Sequence, residues 1–144
     1  MRASGVYNKG ELNFGKLFTQ ILTRNLPKEV GAVATFVGIT RVLGKAGKKV
    51  SLLEMESYEE HANKTIRKIC EEVKSKYNLA LVRVYHLIGK FKVGSPVVFV
   101  VVAGRYRRDV FPALQETVER YKTEPALFKK EVYVGGAYEW IEGG

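Results

Sequence analysis

The chain's 144 residues, 46% of them hydrophobic, suit one domain spanning residues 1–144, and no segment approaches the ~20 apolar residues that cross a bilayer. Its single cysteine excludes an internal disulfide, and its two histidines offer no zinc or haem spacing, so neither a metal nor a cofactor is expected. A net charge of +9 favours an anionic partner but does not choose between nucleic acid, an acidic protein surface, an anionic membrane and a phosphorylated metabolite.

The opening stretch MRASGVYNKGELNF has no apolar run of signal-peptide length, so a soluble, cytoplasmic protein is expected. From Leu12 to Asn25, Leu12, Phe14, Leu17, Phe18, Ile21 and Leu22 form a helical stripe, which Leu26-Pro27 closes because the residue before proline avoids helix. Val30 to Ile39 is almost all apolar or small and predicts a central strand covered on both faces. RVLGKAGKKV then forms a hairpin-like excursion with a basic tip. Val50 to Tyr58 follows as a strand with Glu54 and Glu56 on one side.

Glu59 to Tyr77 repeats Ala62, Ile66, Ile69, Cys70, Val73 and Tyr77 at helical spacing, which predicts an amphipathic helix. Leu79 to Ile88 and Pro96 to Ala103 are predicted neighbouring strands, with GKFKVGSP between them read as turn. Asp109 caps a predicted helix with an apolar stripe of Phe111, Leu114, Val118 and Tyr121 and with Pro112 in its first turn. Leu127 to Val134 and Ala137 to Ile141 complete the chain as short strands around Gly135-Gly136. The order is mixed α+β and lacks a regular βαβ alternation.

Arg41 follows an apolar strand, and Arg105, Arg107 and Arg108 follow another; strand ends of this kind build sites, and the arginine fork matches phosphate. Lys122 and Lys129 flank KTEPALFK. If they converge, each lowers the other's proton affinity, and one could act as base or nucleophile near neutral pH. The competing reading makes Lys122 a complement to a helix dipole and Lys129 an exposed strand lysine. Strand alternation leaves Lys129 and Lys130 on opposite faces and does not choose between them.

Other features carry less. GKAGKK lacks the phosphate-loop pattern, His61 and His86 have no motif-placed nucleophile, and Cys70 sits on an apolar helix face as a core thiol. Gly143-Gly144 reads as a bare terminus.

GAVATFVGITR at Gly31 to Arg41, MESY at Met55 to Tyr58, HLIGKFKVGSPVVFVVV at His86 to Val102 and YKTEPALFKKE at Tyr121 to Glu131 together resemble the large subunit of molybdopterin synthase, the MoaE family. The resemblance runs in order from about Gly31 to Trp140. It implies a single-domain α/β-hammerhead with a mixed, largely antiparallel sheet and flanking helices. It also implies a homodimer that binds one small ubiquitin-like sulfur carrier per protomer, a heterotetramer in all, with neither nucleic acid nor membrane as partner. The implied reaction is sulfur transfer from the carrier's C-terminal Gly-Gly thiocarboxylate to precursor Z, a cyclic pyranopterin monophosphate, forming the dithiolene of molybdopterin for the molybdenum cofactor. Carried over residue by residue, Lys122 is catalytic, Lys129 supports proton transfer, and Arg41, Arg107 and Tyr106 bind substrate, with Arg107 reaching the neighbouring protomer's site. The resemblance alone selects Lys129 over Lys130.

Two departures stand out. The family commonly has His-Arg where this chain has Tyr106-Arg107, and Arg-Asn-His where it has Arg41-Val42-Leu43 before the basic loop. The alternatives are a homologue that binds a pterin or nucleotide without catalysis, and a basic nucleic-acid-binding module suggested by the +9 charge and 11% aromatic content.

Overall fold

The computed structural model describes residues 1–45 and 47–142; Gly143-Gly144, and Ala46 within the basic loop, lie outside the described residues. Its frame is the antiparallel pair of β4 (Leu81–Lys92) and β5 (Pro96–Gly104), in which Leu81 faces Ala103 and His86 faces Val98. Successive strand side chains point to opposite faces, so each strand feeds two cores. Val82, Val84, Val98, Val100 and Val102 enter one, while Leu81, Tyr85, Phe99, Val101 and Ala103 enter the other. The first is covered by α2 (Glu59–Lys76) and α3 (Arg107–Thr123), the second by Leu17 and Ile21 of α1 (Phe14–Arg24). The predicted helix from Glu59 matches α2, with Ala62, Ile66, Ile69, Cys70 and Val73 all buried.

Around this pair the sheet runs β2 (Ala32–Ile39), β5, β4, β3 (Val50–Ser57), β6 (Leu127–Tyr133) and β7 (Tyr138–Ile141), with β1 (Gly5–Asn8) added parallel to β4. This is the expected mixed, largely antiparallel α+β architecture. Four expectations are corrected. β2 is an edge strand, not a central one: it pairs with β5 alone, and Val37 and Ile39 are 41% and 52% exposed. An apolar run signals burial of a face but carries no information about whether both hydrogen-bonding edges are used.

β1 has no periodic signal of its own. Side chains hold it: Asn63 Oδ1 accepts from the Val6 amide at 2.7 Å, and Ser4 Oγ, just before the strand, accepts from the Val84 amide at 3.1 Å. The residues GKFK, read as turn, instead extend β4, because Leu52–Met55 of β3 gives them a partner. Gly89 lies at that changeover with φ +130°, a conformation open to glycine at little cost. The basic excursion is closed by a bridge between Leu43 and Lys49, although β2 and β3 do not pair with each other.

The fourth correction concerns α3. It begins at Arg107 with Tyr106 at the cap position, so Asp109 lies in its first turn and Pro112 in its second. The buried stripe is Val110, Ala113, Thr117 and Tyr121, whereas Phe111 is 63% exposed. Leu114 and Val118 are only partly buried. Small Ala113 and Thr117 let the helix approach the sheet, and the Thr117 hydroxyl is satisfied by donating to the Ala113 carbonyl at 2.7 Å. Both stripes have helical spacing, and the larger side chains favoured the wrong one. Val110→Ala is expected to cost about 2 kcal/mol in urea unfolding and Phe111→Ala under about 0.5 kcal/mol. The reverse order would restore the stripe read from sequence.

Candidate functional site

Two adjoining hollows, of about 130 and 320 Å³, share Phe36, Ile39, Leu53, Lys122 and Lys129 in their walls. The inner one is completed largely by apolar groups, among them Met55, Val98 and Leu127, together with Tyr121 and His86. The outer one adds Thr40, Arg41 and Glu131.

Local structure explains the convergence. Lys122 occupies the last turn of α3, an end fixed to α2 because Arg120 donates to Glu124 at 2.6 Å and to Glu72 at 2.7 Å. Lys129 is opposite Met55 in β6, on the face it shares with Glu131 and Tyr133. Lys130 lies on the other face, 2.9 Å from Glu54 and stacked over the rings of Tyr138 and Trp140 at 4.7 and 5.6 Å. The geometry therefore separates the two lysines that strand alternation left undecided. Arg41 is held at the rim by the backbone of its neighbour: the Thr40 amide donates to the Ser95 carbonyl at 2.9 Å, and the Gly94 amide donates to the Thr40 carbonyl at 2.7 Å.

Burial lowers the proton affinity of Lys129, and the charges of Lys122, Arg41 and Lys45 lower it further; Glu131 acts in the opposite direction. Burial also drives His86 down to about 4, where the Leu87 carbonyl pulls upward and the Lys129 charge pushes further down. Glu131, 4% exposed, accepts from the Tyr133 hydroxyl at 3.0 Å and the Lys45 amide at 3.2 Å. It packs so closely on the basic loop that a Cβ at Gly44 would lie 2.5 Å from its Oε1. A side chain at Gly44 would have to displace the Glu131 carboxylate, and the same loop's Lys45 contributes to the field at Lys129. Sequence reasoning missed Glu131, which its two-residue spacing from Lys129 could have flagged, and set His86 aside.

Tyr106 and Arg107 do not join this cleft. They lie at the N-terminal end of α3, about 22 Å along the helix axis from Lys122 at 1.5 Å per residue. There they line a separate hollow with Arg105 and Arg108, whose guanidinium stacks 4.8 Å from the Tyr106 ring. One chain thus brings together Arg41, Lys122 and Lys129, a set able to bind an anion and move a proton in a partly apolar cleft. Among the described residues no group of three or more His, Cys, Asp or Glu is placed to hold a metal ion. No helix among them is long and apolar enough to cross a membrane.

The family model described as MoaE protein matches residues 9–124. A molybdopterin synthase catalytic subunit of Bacillus subtilis is 32% identical over 128 residues, covering 85% of this chain and 80% of the relative. The one of Bos taurus is 33% identical over 110 residues, or 76% of this chain, which spans only 58% of that protein's length. The crystal structure of molybdopterin synthase from Staphylococcus aureus superposes with a TM-score of 0.83 at 25% identity, covering 98% of both chains. At 19% identity, a Helicobacter pylori complex of subunits 1 and 2 of molybdopterin-converting factor shares the fold, with a TM-score of 0.75 over 96% of this chain and 88% of that one.

The field at Lys129 can be measured by NMR titration of its side chain. Lys122→Gln is expected to raise its pKa by removing a like charge, and Glu131→Gln to lower it by removing an opposite one. Shifts of the opposite sign would show that the two lysines do not share the cleft.

Proposed function

This chain belongs to the MoaE family, and we propose that it is the catalytic subunit of a molybdopterin synthase, transferring sulfur from a thiocarboxylated carrier to precursor Z. The observation that carries this reading is the meeting of Lys122 and Lys129 in one partly apolar cleft with Arg41 at its rim. Every reactant in such a transfer is an anion or passes through one: the carrier's thiocarboxylate, the substrate's phosphate, and the oxyanion formed when the acyl group is attacked. Fixed cations in a water-poor cleft stabilise such charges more than bulk solvent does.

In this reading Lys122 contacts the carrier's C-terminal group. Lys129, whose proton is held less tightly than usual, moves protons during ring opening and sulfur addition. Arg41 takes the phosphate through its paired donors. Arg107 and Tyr106 lie too far along α3 to serve the cleft of their own chain, so their substrate contacts require a second copy whose α3 N-terminus abuts the cleft. The homodimer implied by the family supplies that copy, and the carrier bound to each protomer completes a heterotetramer. The converting-factor complex of H. pylori, which shares this fold, is consistent with such a partner.

Single-turnover transfer from thiocarboxylated carrier to precursor Z tests the assignment. Lys122→Ala is expected to lower the rate at least about 100-fold while leaving dimerisation unchanged. Failure of the wild-type chain to form dithiolene, despite binding carrier, would leave the non-catalytic homologue as the correct reading.

A further inference from the structure

The inner hollow contains a polar group that the lysine chemistry leaves unused. His86 is 4% exposed, lies in the wall beside Lys122 and Lys129, and packs edge-on against Tyr121 at 5.8 Å. Its Nδ1 is 2.9 Å from the Leu87 carbonyl, which can only accept, so the neutral ring carries its proton on Nδ1 and keeps a lone pair on Nε2. Among the described residues, the bond to Leu87 is the only hydrogen bond of this ring. Burial, which drives the imidazole down to about 4, keeps it neutral at physiological pH. The ring lines the hollow, and an imidazole lone pair in the wall of a ligand cavity is a recognition element for a donor N–H.

We propose that the inner hollow is a subsite for a planar amide N–H of the bound reactant, with His86 Nε2 as its acceptor. This rests on the sulfur-transfer reading and adds a specificity contact to it. The division of labour follows from the wall. Lys122 and Lys129 are donors and hold anionic groups, whereas Met55, Val98 and Leu127 offer an amide neither donor nor acceptor through their side chains, leaving His86 to accept from it. A ligand with a negative group and an amide a few bonds away would satisfy both. Two reactants have that chemistry: the carrier's glycine tail, through its peptide N–H, and the pterin, through its ring amide. A phosphate or carboxylate alone would gain nothing from His86.

The test uses the purified full chain as wild type, His86→Phe and His86→Gln. Calorimetric titrations are run separately with a Gly-Gly-terminated sulfur carrier and with precursor Z. Histidine ¹⁵N spectra are recorded alongside; with only His61 and His86 in the chain, the assignment is direct. His86→Phe is expected to weaken one of the two ligands about tenfold, and His86→Gln, which keeps an acceptor, to recover most of that loss. The weakened ligand identifies the source of the amide. In wild type, adding that ligand shifts the Nε2 resonance of His86 and leaves His61 unmoved, which a purely structural histidine would not do. The spectra decide the matter if His86→Phe does not fold. Unchanged binding of both ligands to a folded His86→Phe, or an Nε2 resonance that neither ligand moves, overturns the proposal. A wild-type chain that binds neither ligand instead removes the sulfur-transfer reading on which it rests.

Discussion

The length of β4 constrains the rest of the molecule. Over Leu81–His86 it pairs with β5 and is buried on both faces; over Gly89–Lys92 it pairs with β3, which leads on to β6 and β7. One strand therefore joins a sheet packed by helices on both sides to a smaller sheet that carries Lys129. Gly89 permits the changeover, and His86 lies three residues before it, in the wall of the inner hollow. Without that shared strand, α3 and β6 would have no fixed relation, and Lys122 would have no defined distance from Lys129.

On this frame the cleft sets several unfavourable terms against one another. Burying a lysine, and placing Lys122, Arg41 and Lys45 near it, all disfavour its charged form. Glu131 opposes them and also ties down the basic loop through the Lys45 amide. A site left wholly cationic would repel its own protons without holding its shape; one neutralised by a carboxylate at contact distance would lose its attraction for anions. Glu131 partly offsets the repulsion while its Oε1 accepts from both the Tyr133 hydroxyl and the Lys45 amide, a compromise that leaves the lysines unpaired, among the described residues, by a carboxylate at contact distance.

Much of this was legible in the sequence, and the failures share a cause. The α2 stripe, the two flanking strand pairs and the α+β order follow from periodicity alone, because each reflects a face buried against a core. The edge position of β2, the extension of β4 through Lys92 and the existence of β1 depend on which strand lies alongside, and no local pattern encodes that. The shift of the α3 stripe from Phe111 to Val110 arose because close helix–sheet approach selected small residues over large ones. In the site, Lys122 and Lys129 stood out by residue type and by family resemblance, which preferred Lys129 to Lys130; the physical reason appears only in the structure, where Glu54 and the Tyr138 and Trp140 rings occupy Lys130. Glu131 was passed over although its two-residue spacing from Lys129 placed it on the same strand face, and His86 because a lone imidazole on a strand has no signature until its neighbours are known.

The central claim is that the cleft uses a lysine to move protons and does not merely supply positive charge. Lys129→Arg separates these roles, since arginine keeps the charge but does not release a proton near neutrality. Measured in single-turnover sulfur transfer, this variant should bind the carrier and precursor Z about as tightly as wild type and yet transfer sulfur no faster than Lys129→Ala. Transfer at the wild-type rate by Lys129→Arg would mean that charge alone suffices and that the lowered proton affinity of Lys129 has no part in the chemistry.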